Sequence, residues 1–402
     1  MNDGGFGSFL RRVVSSGRAY SALISTGFAS TTGFLLSVGI ARESSVGQVA
    51  EFAVGFAAYL LIVGLTRAMV SEPVAADLPG QAVLRHAGQP VALWGTALGS
   101  ISLLVGLLVG NPFLVCVGLA AHGLSLGEFS KFAATAFGRP TLAIGQEGLR
   151  LALFLAGFAV PAVRQDPVLL FVVWSAGAAL AGYVFTAIQG IYFLPRLRRD
   201  IVPAPVAMSY GADHLLGAGT TQLSTFGLGA WAAPGANAAI RGSGTMLGPV
   251  TTFVVSGRSL VIPYLSRGRK DQQGLKPAVH LIAAMALLAL PLLVLINFIP
   301  DPWGHMLLGE TWPLTAMVLP VLSAEALISL TSTVAFAGHR SMGAHRRTLL
   351  IRLVMSPVRL GLIVGGGILW GPFGAAWGTL IASALTFAVW WTSYVQLARR
   401  GA

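Results

Sequence analysis

The amino-acid sequence predicts an all-α integral membrane protein, with about twelve transmembrane helices in two pseudo-symmetric halves of six helices each. Of its 402 residues, 55% are hydrophobic and only 10% are charged, whereas about 25% are charged in a soluble domain. Apolar runs recur along the whole chain, and each approaches the roughly 20 residues with which a helix crosses the hydrocarbon core. The second half of the chain also repeats a pattern of the first half.

The apolar runs are too long and too uniform for the alternating strands of a membrane barrel, so they are predicted to be helices. The candidate spans are 19–41, 48–70, 91–109, 112–136, 141–162, 167–194, 204–231, 240–263, 276–298, 313–336, 348–369 and 373–395.

The repeat is clearest at the end of the second span. The segment LTRAMV places Arg67 there, and SGRSLV places Arg258 close to half a chain length later. The basic linker that begins at Pro195 follows the sixth span. These features predict an N-terminal bundle at 1–200 and a C-terminal bundle at 201–402.

The distribution of Lys and Arg predicts the orientation, because cytoplasmic loops of membrane proteins carry an excess of these residues. With the N-terminus inside, only Arg42, Arg164 and Arg241 fall in outer loops, and most other basic residues fall in inner loops. We therefore expect a multi-pass protein of the cell inner or plasma membrane with both termini in the cytoplasm.

Several functional classes are disfavoured. The net charge of +12 could indicate nucleic acid binding, but the basic residues lie mostly in short loops between apolar runs. Cys116 is the single cysteine, and the seven His are scattered, so no metal site is predicted. The sequence contains no GxxxxGK, HExxH or GxSxG motif. We expect no cofactor and no enzymatic activity.

Charged residues inside membrane spans are costly, and they usually face a cavity or a partner. Glu128 and Lys131 are three residues apart on one span, as are Glu147 and Arg150 on the next. This spacing predicts ion pairs within a helix, which would be structural. The full set of candidates is His122, Glu128, Lys131, Glu147, Arg150, Asp213, His214, Arg258, Glu325 and Arg359.

Two alternatives remain open for several of these residues. Arg67 could reach the headgroups from the inner end of its span or could bind a ligand. Glu325 and Arg359 could face a cavity or could pair with each other between neighbouring helices. Asp213 has no oppositely charged neighbour nearby in the sequence, so it is a candidate for ion coupling, and its alternative is a basic partner elsewhere.

The first hairpin resembles the polysaccharide flippases of the multidrug/oligosaccharidyl-lipid/polysaccharide exporter superfamily. The likeness rests on Ile40-Ala41-Arg42, then Val46-Gly47-Gln48, and a Phe- and Ala-rich helix that closes as GLTRAMVSEP. The family's Leu-Gly is absent after Arg42. The turns FGRP at 137–140 and AGHR at 337–340 also fit the family's helix junctions.

This resemblance implies two bundles with alternating access to a central cavity. It also implies a substrate, a polyprenyl-pyrophosphate-linked oligosaccharide of the O-antigen or exopolysaccharide type, which is moved to the outer leaflet. Arginine suits such a headgroup because guanidinium binds phosphate oxygens in bidentate fashion. Arg67, Arg258 and Arg359 are thus the expected substrate-binding residues, and Asp213, Glu128 and Glu325 the candidates for ion coupling.

Three other functional classes are alternatives to a flippase. A multidrug cation antiporter of the same superfamily would need acidic cavity residues. A membrane-bound glycosyltransferase or ligase would be expected to carry a large outer loop or paired carboxylates, and 300–312 offers only Asp301 and Glu310. The third alternative is a scaffold protein that transports nothing. The expected partners are the lipid-linked oligosaccharide, membrane lipids, and the polymerase and glycosyltransferases of the same pathway, with the protein itself a monomer.

Overall fold

The computed structural model describes residues 17–77, 80–251, 265 and 275–400. Within these ranges every regular element is helical, which confirms the all-α prediction. Eight helical stretches of the described residues are long and apolar enough to cross a membrane. The protein is therefore a multi-pass membrane protein.

The helices of the first half follow the predicted spans closely. They are α1 (Gly17–Glu43), α2 (Val46–Thr66), a π-helical turn (Arg67–Ser71), α3 (Glu72–Asp77), α4 (Gln81–Val109), α5 (Pro112–Ala136), α6 (Pro140–Phe158), α7 (Pro161–Arg164) and α8 (Pro167–Ile188).

The second half is more broken. Its helices are α9 (Ala204–Leu216), α10 (Gly219–Trp231), α11 (Pro234–Met246), α12 (Lys276–Asn297), α13 (Asp301–Leu308), a short 3₁₀ turn (Gly309–Thr311), α14 (Trp312–Ser341) and α15 (His345–Arg400). The predicted span 204–231 is thus two helices, and the side chain of Ser356 donates a hydrogen bond to the carbonyl oxygen of Leu216 at the break.

The sequence specifies several of these boundaries. Asn111 and Asp166 accept hydrogen bonds from backbone N–H groups at the starts of α5 and α8, and each is followed by a proline. This arrangement is favourable because the first N–H groups of a helix lack partners within it. Gly110, with φ +70°, closes α4. The left-handed backbone there favours glycine.

The described chain divides into two compact units. One contains residues 17–40 and 55–215, and the other contains 41–54 and 216–400. The bundles predicted at 1–200 and 201–402 are defined by the internal repeat and the linker, which is a different criterion from compactness. That division stays a prediction.

In the first unit, α5 packs against α4, α6 and α8. Glycines permit the closest approach: a Cβ at Gly182 of α8 would clash with the carbonyl oxygen of Gly123 on α5, and a Cβ at Gly118 would lie 2.6 Å from the backbone nitrogen of Leu103 on α4. Close contact of this kind is typical of membrane helices, which associate through small residues. It holds α5 at the centre of its neighbours.

In the second unit, the long helix α15 bends at Trp370 and Gly371, where the backbone leaves helical geometry. The two parts correspond to the predicted spans 348–369 and 373–395. They pack closely, since a Cβ at Gly366 would clash with the carbonyl oxygen of Gly374.

Candidate functional site

The charged residues of α5 and α6 form ion pairs inside the first unit. Lys131 Nζ lies 2.7 Å from Glu128 Oε2 on the same helix. Arg150 Nη1 lies 3.4 Å from Glu147 Oε2, also on one helix. Both pairs have the three-residue spacing that places side chains on one helix face. The predicted pairing within each helix is therefore present.

A third contact joins the two helices. Lys131 Nζ lies 2.7 Å from Glu147 Oε1, so the ammonium group contacts a carboxylate on each side. Lysine has three N–H donors, which is enough to serve both acceptors.

Arg67 extends this arrangement. Its Nη1 lies 3.8 Å from Glu128 Oε1, and its Nε lies 3.8 Å from Glu72 Oε1. Both distances exceed a hydrogen bond, so the guanidinium is held by charge alone in these contacts. Arg67 also begins the π-helical turn, a rare element that is frequent at functional sites.

Together the five side chains alternate in sign, and we name them the charge chain: Arg150, Glu147, Lys131, Glu128 and Arg67. Exposure increases from Glu147 to Arg67. The side chains of Glu147 and Arg150 are 1% and 10% exposed. Those of Lys131 and Glu128 are 22% and 25% exposed, and that of Arg67 is 57% exposed. The charge chain therefore has a buried end and an accessible end.

Neutral groups complete the surroundings. The Arg150 guanidinium carbon lies 4.9 Å from the centre of the Trp174 ring, a cation–π distance. Gln146 accepts a hydrogen bond from Ser130 and donates one of 2.8 Å to the carbonyl oxygen of Gly127. A cavity of about 20 Å³, room for about one water molecule, is lined by Tyr59, Glu128, Lys131, Gln146, Glu147 and Arg150, among others.

The second unit contains a separate pair. Arg359 Nη2 lies 3.7 Å from Glu325 Oε1, and Ser383 Oγ donates a hydrogen bond of 2.6 Å to the same oxygen. The pairing stated as one alternative for these two residues is therefore present. The substrate-binding role of Arg359 and the ion-coupling role of Glu325 stay predictions.

The remaining sequence candidates have different outcomes. Arg258 lies outside the described residues. Asp213 lies on α9, next to His214, whose ring packs against Gly64. Asp213 takes part in an interaction in the structure, and its role in ion coupling stays a prediction. In the described residues, no group of three or more His, Cys, Asp or Glu is arranged to hold a metal ion.

Sequence reasoning missed the contacts between helices. The Lys131–Glu147 and Arg67–Glu128 contacts join residues that are 16 and 61 positions apart on different helical elements. The spacing along a single helix therefore does not predict them. Tyr59 and Gln146 were also missed, although a glutamine beside Glu147 in an apolar run is a signal that could have been used.

No family model and no curated protein matches the sequence. Several solved structures share its fold. The lipid II flippase MurJ in an inward closed conformation has a TM-score of 0.72 and 14% identity, over 92% of this chain and 86% of that chain. An inward-facing multidrug resistance transporter of the MATE family has a TM-score of 0.65 and 11% identity, over 92% and 96% of the chains. A eukaryotic MATE transporter, AtDTX14, has a TM-score of 0.62 and 11% identity, over 98% of each chain. The chain therefore has the fold of the transporters of the MOP superfamily.

Proposed function

We propose that the protein is a flippase. It moves a polyprenyl-pyrophosphate-linked oligosaccharide from the cytoplasmic to the outer leaflet of the membrane, for the synthesis of cell-surface polysaccharide. The proposal rests on the position of Arg67, whose exposed guanidinium lies at the end of an apolar span. In both of its ion pairs the carboxylate is beyond hydrogen-bonding distance. Such a group can bind two phosphate oxygens at once.

The chemistry of the substrate supports this choice. A pyrophosphate headgroup must leave water to cross the membrane, and basic side chains can replace its hydration. Arg67 is proposed to act with Arg258, its counterpart in the repeat. The solved structure of a lipid II flippase with this fold is consistent with a lipid-linked substrate.

The second candidate function, a multidrug cation antiporter, is suggested by the MATE structures. It requires carboxylates that are free to bind a cation. Glu128 contacts Lys131 and Arg67, and Glu325 contacts Arg359. Because these carboxylates are already neutralised by basic side chains, we favour an anionic substrate.

The test is to deplete the protein and measure polyprenyl-linked glycans by mass spectrometry, with their leaflet assigned by a membrane-impermeant probe. We expect one oligosaccharide pyrophosphate to accumulate in the inner leaflet. Re-expression of the wild-type protein should clear it, whereas Arg67→Ala at equal abundance should not. Normal glycans together with new sensitivity to cationic drugs would instead support the antiporter.

The setting of this activity is part of the proposal. Both termini lie in the cytoplasm, the protein acts as a monomer in the inner or plasma membrane, and the polymerase and glycosyltransferases of the pathway are its partners. Fusion of a reporter that is active only in the cytoplasm to each terminus would test the orientation.

A further inference from the structure

The charge chain contains more positive than negative charge. Its three cations, Arg150, Lys131 and Arg67, share two carboxylates, those of Glu147 and Glu128. Glu72 contacts Arg67 from outside the chain, but both side chains are at least half exposed, and such pairs contribute little. An additional anion would therefore be attracted to this site.

The two ends of the charge chain differ in their ability to accept that anion. At the buried end, Glu147 is almost inaccessible and contacts both Lys131 and Arg150. Exchange of partners there would leave a buried charge alone, which is costly. At the accessible end, the carboxylate of Glu128 lies between Lys131 and Arg67, and all three side chains are partly exposed.

The geometry points to Glu128 as an internal substitute for a phosphate group: its carboxylate occupies the position between Lys131 and Arg67 that the diphosphate of the substrate takes when it binds. Lys131 is thereby a second phosphate-binding residue beside Arg67, and Glu128 is a residue that sets the affinity. This inference rests on the proposed function, because it names the site at which that substrate's diphosphate binds.

The distances support the exchange. The contact of Glu128 with Arg67, at 3.8 Å, is too long for a hydrogen bond. A phosphate oxygen at normal distance would make a stronger, charge-assisted bond to the guanidinium. Lys131 would lose one acceptor at 2.7 Å and gain another, while its contact with Glu147 holds it in place.

The experiment uses the purified full-length protein in nanodiscs of phosphatidylcholine, a zwitterionic lipid with no net charge, titrated calorimetrically with inorganic pyrophosphate. Glu128→Gln removes the competing charge but keeps the size of the side chain. We expect it to bind pyrophosphate roughly tenfold more tightly than the wild type, in line with the loss of one charged competitor. Lys131→Gln should weaken binding, and Glu128→Gln should raise the affinity less when Lys131 is already replaced, because only Arg67 is then freed.

Three controls separate this exchange from other effects. Glu325→Gln removes one negative charge in the second unit and should leave the affinity unchanged. Glu72→Gln removes a contact of equal length to Arg67 but lies outside the charge chain, and it should raise the affinity less than Glu128→Gln does. Glu128→Asp keeps the charge and should restore affinity close to that of the wild type.

The inference is overturned if Glu128→Gln binds pyrophosphate no more tightly than the wild type, if Glu72→Gln has the same effect, or if no variant binds pyrophosphate. The result is independent of transport. Tighter binding in Glu128→Gln, combined with normal lipid-linked glycans after depletion, would keep this diphosphate site and reject the proposed flippase substrate.

Discussion

Glu147 is the residue whose replacement should destabilise the first unit most clearly. Its buried carboxylate accepts contacts from Lys131 at 2.7 Å and from Arg150 at 3.4 Å. Polar contacts between membrane helices contribute on average about 0.6 and at most about 1.7 kcal/mol each. Glu147→Gln loses one such contact, with Lys131 on α5, and one contact within α6, with Arg150. A pair within one helix contributes about 0.2–0.5 kcal/mol, so the free energy of unfolding should fall by about 1–2 kcal/mol. The remaining contact of Arg150 with the Trp174 ring keeps the loss below the upper end.

The measurement is unfolding in mixed micelles with increasing sodium dodecyl sulfate, followed by circular dichroism. The double variant Glu147→Met with Arg150→Met is the informative control. It removes the buried pair and fills its volume with apolar atoms, so it should be more stable than Glu147→Gln alone. Ordinary surface substitutions change the free energy of unfolding by up to about 0.5 kcal/mol. If Glu147→Gln changes it by no more than this, the view that this carboxylate joins α5 to α6 is refuted.

Three further outcomes are expected. Gly182→Val should destabilise the protein by about 1–3 kcal/mol in the same unfolding assay, because the new side chain would meet the carbonyl oxygen of Gly123. Gly361→Ala is the control. Nothing lies within 4 Å of its new Cβ, so this variant should be as stable as the wild type or more stable. Arg67→Lys should retain part of the transport lost in Arg67→Ala, because an ammonium keeps the charge but not the bidentate geometry, and proteoliposomes with a labelled lipid-linked oligosaccharide would measure this. Glu325→Gln should lower stability by about 1 kcal/mol without changing that transport rate; a loss of transport at unchanged stability would indicate an ion-coupling role instead.

Much of the fold could be predicted from the sequence. Span length and apolar composition depend on the thickness of the bilayer, so the helices of the first half lie close to their predicted ranges. The break near residue 217 was missed because the contact made there is remote in the sequence. The side chain of Ser356, far along the chain, bonds to the carbonyl oxygen of Leu216.

The candidate site was predictable only where it is local. Pairs three residues apart on one helix follow from helical geometry, and both were expected on that ground. The contacts of Lys131 with Glu147 and of Arg67 with Glu128 depend on how helices pack against each other. Between α5 and α6 the packing depends on small residues such as Gly127, where a Cβ would lie 3.0 Å from the side-chain nitrogen of Gln146, and the pattern of apolar residues does not encode it.

The position of Lys131 connects stability and binding in a way that can be separated by experiment. Lys131 contacts Glu147 and Glu128 at the same distance of 2.7 Å, yet only Glu128 is accessible in part. Replacement of Glu128 leaves the contacts of Glu147 with Lys131 and Arg150 in place, so Glu128→Gln should lose less stability than Glu147→Gln. The affinity for an anion should change more in Glu128→Gln than in Glu147→Gln. The buried carboxylate of Glu147 cannot leave its partners without exposing an uncompensated charge, so an anion cannot take its place. The buried end of the charge chain thus joins α5 to α6, and in the proposed exchange of Glu128 for a phosphate this support would keep Lys131 in place.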